Sequence, residues 1–290
     1  MQIRRSIVAH QFYPGRRDDC VAEIEQCLAE RGLPASLPDG IVAGIVPHAG
    51  WVFSGALAAL VFAALKRQYT HVDVFVILGT AHSDVGSGPV VGTETGWETP
   101  LGQIDVAEDL VDQLVKAGRV EVSRAAHRSE HSIEVQVPFV QYCFPGAQLC
   151  PIVVPASLEA VPLGEWLGRR IRSADKRIVC LGSTDLTHYG PQYGFVPMGR
   201  GREGIHWAAQ VNDRRFIDLA LSVDPGGLLA GASENACACG PGAAAAAVAA
   251  AKAFGKTSGQ LLAYTNSHRV MADKMEAFSP DSVGYAAMVF

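Results

Sequence analysis

The chain has no run of Lys or Arg, no apolar stretch long enough to cross a bilayer and no glycine-rich phosphate loop. Each absence removes a class of function. Charged residues make up 18% of the 290 and the formal net charge is -5; without a basic stripe there is no groove to track phosphates, so nucleic acid is not an expected partner. The longest apolar stretch, Gly242 to Ala251, is alanine-rich and ends at Lys252, well short of the ~20 residues a spanning helix needs. No membrane association is expected. The opening MQIRRSIVAHQFYPG carries two arginines but no apolar segment behind them, which does not read as a secretory signal and makes the cytoplasm the expected location. No G-x-G-x-x-G or G-x-x-x-x-G-K-[ST] follows a candidate strand, and Ser183 in GSTD lacks the G-x-S-x-G elbow of a serine hydrolase. The seven cysteines are odd in number and scattered from Cys20 to Cys239, unlike a disulfide framework. They read as reduced thiols, most of them buried small hydrophobes.

What the chain has is apolar bulk, at 49% of residues, enough to offset the ordering entropy that leaves apolar-poor chains unfolded. Short β-branched runs separated by longer helical segments predict an α/β fold: a single domain over residues 1–290 with a largely parallel central sheet and helices on both faces. Strands are expected at 41–46, 72–78, 148–154, 177–182, 260–266 and 283–290. Helices are expected at 54–67, with Ser54 as cap, and at 106–117, 129–143, 158–173, 204–221 and 241–254. The Gly- and Thr-rich stretch 83–104 reads as a hairpin or loop near the site.

Three expected strands run into a polar loop containing histidine: IVPHAG, ILGTAHS and CLGSTDLTHYG. Ligands in open α/β sheets bind outside the carboxyl ends of the strands, so His48, His82, Asp185 and His188 are expected to share one crevice. A lone histidine is more often structural than functional; three at equivalent topological positions argue otherwise. Cys239, just before the Pro241 helix, sits where a helix dipole lowers a thiol's pKa and favours the thiolate that metals require, or it fills a tight helix start as a small residue. Cys237 is a weaker candidate. In AHRSEHSIEVQVPF, the spacing of His127, Glu130 and His131 matches the H-x-x-E-H of inverted zinc peptidases, so a zinc hydrolase is a rival reading, although no later carboxylate motif completes it. On the same segment His131 and Glu134, at i and i+3 of a helix, would point into the crevice as acid/base or supporting groups.

Together RRSIVAHQFYPG, VPHAGWVFSG, ILGTAHS, WETPLG, AHRSEHSIEVQVPF, STDLTHYG, NACACGPG and SVGYAAM resemble the Memo family, known in bacteria and archaea as AmmeMemoRadiSam system protein B. The resemblance runs nearly end to end. It implies a fold similar to the class III extradiol ring-cleaving dioxygenases, with His48, His82 and Cys239 as metal ligands and Asp185, His188, His131 and Glu134 lining the pocket. It also implies iron(II), with copper or zinc as alternatives, and a small oxidisable, aromatic-type substrate turned over by a metal-dependent oxidoreductase with His188 as acid/base. The contrasting expectation is a non-enzymatic module for metal binding, redox signalling or protein interaction built on the same pocket. Two departures matter. A cysteine stands where the ring-cleaving enzymes have a carboxylate, which shifts preference toward softer ions, and Trp51 and Phe53 stand where many relatives carry tyrosines.

Overall fold

In a strand successive side chains point to opposite faces, and here both faces are covered, so the central strands read as unbroken apolar runs. The structure, a computed structural model, describes residues 2–290. The strands are β1 (Ile3–Arg4), β2 (Ala43–Val46), β3 (Val74–Thr80), β4 (Val90–Val91), β5 (Gly96–Thr99), β6 (Gly102–Asp105), β7 (Glu121–Val122), β8 (Gln148–Val154), β9 (Ile178–Ser183), β10 (His188–Tyr189), β11 (Gln260–Asn266) and β12 (Ser282–Val289). The helices are α1 (Arg17–Glu30), α2 (Trp51–Gln68), α3 (Glu108–Lys116), α4 (Val137–Cys143), α5 (Ala160–Ser173), α6 (Arg202–Trp207), α7 (Asp213–Leu221), α8 (Pro225–Asn235), α9 (Pro241–Phe254) and α10 (Ser267–Met275).

The main sheet runs β10-β12-β2-β9-β3-β8-β4-β7, with β11 on β12. Its centre, β2-β9-β3-β8, is parallel. The flanks are not: β12 runs antiparallel to both β2 and β11, and β4 antiparallel to β8. In β3, Phe75 and Ile77 pack with α1, α2 and α4 on one face, while Val74, Val76 and Leu78 pack with α3, α5, α7, α8 and α9 on the other. The 83–104 stretch does contain a hairpin, β5–β6, and β1 joins it to form a second small sheet.

The expected helices differ from the observed ones where side-chain chemistry intervenes. Helix α2 begins at Trp51 with Gly50 as its N-cap; Ser54 is not the cap, and its hydroxyl donates instead to Ala49 O at 3.0 Å. The expected 129–143 helix begins only with a 3-10 turn at Glu134. Upstream of it the Ser132 hydroxyl accepts Thr80 N–H, and Ser132 O accepts from Ser183 Oγ, which holds the segment away from helical pairing. The expected 204–221 helix is α6 and α7 joined by a π-helical insertion at Ala208–Asn212, a feature that often marks functional segments.

Helix α9 explains its own composition. Ala243 through Ala251 are buried, and the helix lies between the sheet and α5 at main-chain distance. A Cβ at Gly164 or Gly168 of α5 would come within 2.1 or 2.2 Å of Ala246 O or Ala250 O, and one at Gly182 of β9 within 2.7 Å of Ala243 O. Nothing larger than alanine fits so tight an interface, and this contact fixes the helix start, with Cys239, at the carboxyl ends of the strands.

Candidate metal centre

The loops after β2, β3 and β9 converge as the topology demands. His48 follows β2, His82 follows β3, and His131 comes from the irregular segment before α4. One ring nitrogen from each lies within 4.8 Å of the others, the one such cluster of three His, Cys, Asp or Glu donors among the described residues. The His48 ring is edge-on to both partners, at 5.2 Å from His82 and 5.6 Å from His131, while His82 and His131 stack at 4.6 Å.

The hydrogen bonds assign the tautomers. Ser183 Oγ gives its one proton to Ser132 O at 2.7 Å, so at 3.2 Å it accepts from His48 Nδ1–H and leaves Nε2 with a free lone pair. His82 Nδ1 lies 3.0 Å from Glu130 Oε2, so Nε2 is again the free atom. Burial of the Glu130 carboxyl works against its charge, yet the bonds from His82 and Ser132 outweigh it and hold the group down to about 2. Burial and the neighbouring imidazoles depress His48 to about 3 and His131 to about 4. Both rings are therefore neutral at physiological pH, the form in which imidazole binds metal.

Cys239, expected as the third ligand, stands outside this trio and beside His48. Its Sγ lies 3.3 Å from His48 Nε2 and accepts the Asp185 N–H at 3.3 Å. The helix start does not make it a thiolate: burial, with Asp185 adding to it, pushes the thiol up to about 12. Thiol and imidazole thus face each other as neutral donor and acceptor. Asp185 is buried and raised for the same reason. Its Oδ1 accepts His48 N–H at 2.8 Å, tying the VPHAG loop to the STDLTHYG loop, and Oδ2 stands 4.0 Å from His48 Nε2. His188 is half-buried with Nδ1 3.0 Å from Leu186 O, so Nε2 is the ring nitrogen without that carbonyl partner, and its ring meets Tyr193 edge-on at 5.0 Å.

Two sequence expectations fall here. Glu134 does not line the pocket: its carboxylate accepts from Arg4 Nη1 at 2.7 Å, from Tyr13 Oη at 2.8 Å, and from the N–H groups of Ile7 and Val8. Nor do His127, Glu130 and His131 form a zinc-peptidase site. The segment is not helical, His127 is fully buried edge-on to Trp97, and Glu130 is committed to His82. Arg4 is the residue that sequence reasoning missed. It bonds His127 O at 2.9 Å, Glu130 O at 2.7 Å and Glu134, and lies 4.1 Å from the Trp97 ring centre. A buried guanidinium thereby satisfies backbone carbonyls that no helix or strand does. The segment it anchors also brings Phe12 to 4.7 Å from His131. Nothing but an arginine close to an aromatic-rich stretch signals this in the sequence.

A family model described as "Memo-like protein" matches residues 4–289. The chain belongs to the Memo family. Its relatives include a MEMO1 family protein of Thermococcus onnurineus, 36% identical with 99% of each chain covered, and one of Methanosarcina barkeri, 35% identical with 99% of each covered. Among solved structures, an uncharacterized protein of Escherichia coli K12 aligns with a TM-score of 0.53 at 13% identity, covering 86% of this Memo chain and 100% of that one, a likeness of fold. No helix among the described residues is long and apolar enough to cross a membrane.

Proposed function

We propose that this Memo-family chain is a metal-dependent oxidoreductase of dioxygenase-like type, with one transition ion on His48, His82 and Cys239 and a small oxidisable, aromatic-type molecule as substrate. The observation that carries the reading is the Cys239 Sγ–His48 Nε2 contact of 3.3 Å beside the ring nitrogens of His82 and His131. Bonds of about 2.3 Å to sulfur and about 2.1 Å to nitrogen place two ligands of one ion close to that separation. The thiol proton facing Nε2 is the one that an ion would displace, so loading releases a proton. Iron(II) is the first choice, and the sulfur keeps copper and zinc in play. The ion's contribution is to bind and polarise the substrate or dioxygen.

The chain's own groups do the rest. His188 Nε2 is free to take or give a proton, Asp185 holds the His48 and His188 loops together, and Glu130 fixes His82 with Nε2 inward. His131, stacked on His82, is the nearest further donor and acts as acid/base or as an additional ligand. The reading is tested by elemental analysis of anaerobically prepared wild type, His48→Ala, His82→Ala, Cys239→Ser and His131→Gln, followed by an oxygen-uptake screen with catechols. About one ion per chain, lost in the first three variants and retained in His131→Gln, is expected; full metal content in His48→Ala and His82→Ala refutes the site. A second reading, a metal-binding redox-signalling module that contacts protein partners, draws on the cysteine standing where ring-cleaving enzymes carry a carboxylate. Metal loading with no oxygen uptake on any substrate favours it.

A further inference from the structure

On the far side of Cys239 from the histidines lies a cavity of about 880 Å³ between helix α8, the turn leading into α5 and the start of α9. We propose that this cavity binds an uncharged, mainly apolar small molecule, and that Cys239 is the wall it shares with the metal centre. The second half of the proposal rests on the function proposed above, and the first half does not.

Three observations carry it. The lining contains Ala156, Leu158, Val161, Leu229, Ala232 and Cys239, and no charged residue lines it among the described residues. A carboxylate, phosphate or ammonium entering such walls would lose its hydration with no counter-charge in return, whereas a neutral apolar body gains from leaving water. The volume falls within the range of small-molecule sites, about 300–1,000 Å³. The position supplies the third argument. The cavity opens beyond Val154 at the end of β8 and beside the start of α9, at the carboxyl edge of the parallel strands, where α/β proteins place ligands. Leu158, 84% exposed at the rim, presents an apolar side chain to solvent that an occupant of this kind would cover. Only the sulfhydryl of Cys239 offers the cavity a group with redox or metal chemistry, so an oxidisable end of the ligand would have its reactive neighbour there.

The test uses the full chain and the uncharged dye Nile red. In metal-free protein the dye is expected to saturate one site per chain and to be displaced by 1-octanol far better than by octanoate. Ala230→Trp, which fills the cavity from an exposed position on α8, and Leu158→Asp, which charges its rim, should each weaken binding about tenfold or more. Phe278→Ser, at an exposed apolar residue elsewhere, should leave it unchanged. Non-saturable uptake, equal displacement by octanoate, or dye affinity indifferent to both cavity variants overturns the pocket. With cobalt(II) bound, 1-octanol should shift the sulfur-to-metal absorption band in the wild type and not in Ala230→Trp; an unmoved band overturns the shared wall. Dye binding that obeys all these expectations in a chain that takes up no cobalt would leave the pocket standing and remove the metal reading instead.

Discussion

Replacing His48 with Asn should flatten the acid sensitivity of the metal-free protein. In the folded chain the His48 imidazole is held down to about 3, mainly by burial and next by the His82 ring, against about 6.5 when unfolded. Between those values the unfolded chain binds a proton that the folded chain refuses. Stability from this residue is therefore complete above pH 6.5 and is lost as pH falls toward 3. Each unit of difference corresponds to about 1.4 kcal/mol, so moving from pH 7 to pH 4 should cost the wild type about 3 kcal/mol through His48 alone. The side chain is 3% exposed, so solvent screening takes little from that figure. Urea titrations of chelator-treated wild type and His48→Asn at the two pH values measure it, with the comparison made on the pH-dependent difference because the substitution also removes a hydrogen bond to Ser183. Parallel acid losses in the two proteins would show that the imidazole charges freely in the folded state, and the neutral, metal-ready ring would have to be abandoned.

Glu130→Gln weakens the group that orients His82, and metal affinity should fall about 10–100-fold by isothermal titration while the circular dichroism spectrum is unchanged; equal affinity would mean that His82 orients itself. Arg4→Met leaves the Glu134 carboxylate buried without its cation and should cost about 3–5 kcal/mol of unfolding free energy, with faster amide exchange across 127–133; a stable variant with a protected segment would contradict the anchoring role. Asp213, buried and raised to about 6 while accepting from Thr187 N–H and Tyr264 Oη, has the opposite pH sign to His48. The folded chain keeps its proton longer than the unfolded chain, so its contribution is complete below about pH 4 and about 3 kcal/mol is lost as pH rises through 6. Asp213→Asn should remove that decline in urea titrations over the same range, and an unaltered decline would place its origin elsewhere.

Much of this was legible in the residues. β8 and β11 fall on the expected boundaries, as does α9, because short apolar runs and an alanine run opened by Pro and Gly speak for themselves. His48 and His82 could be brought together because strand-end loops in a parallel sheet share an edge. Three things could not be read. The antiparallel β12 and β11 depend on which edge a late strand joins, which periodicity does not encode. Helix α1 carries Cys20, Ile24 and Cys27 at helical spacing, yet its charged intervening positions hide the signal. Glu134 lies away from the pocket that helical spacing predicts for it because its segment is held by polar side chains bonded to distant backbone, and the Arg4–Glu134 and Phe12–His131 contacts there span more than a hundred residues.

The main-chain contact between α5 and α9 has a mechanical consequence for the centre. Cys239 precedes a helix that packs on glycine and alanine at main-chain distance, whereas Glu130 and His131 hang from a segment kept in place by a guanidinium, a carboxylate and a few hydroxyls. Polar ties loosen one by one; a backbone-to-backbone packing face moves only as a block. The Cys239 side of the cluster is thus its anvil and the His131 side its hinge, so an ion of a different radius, if one binds as proposed, would be accommodated on the side that carries Phe12.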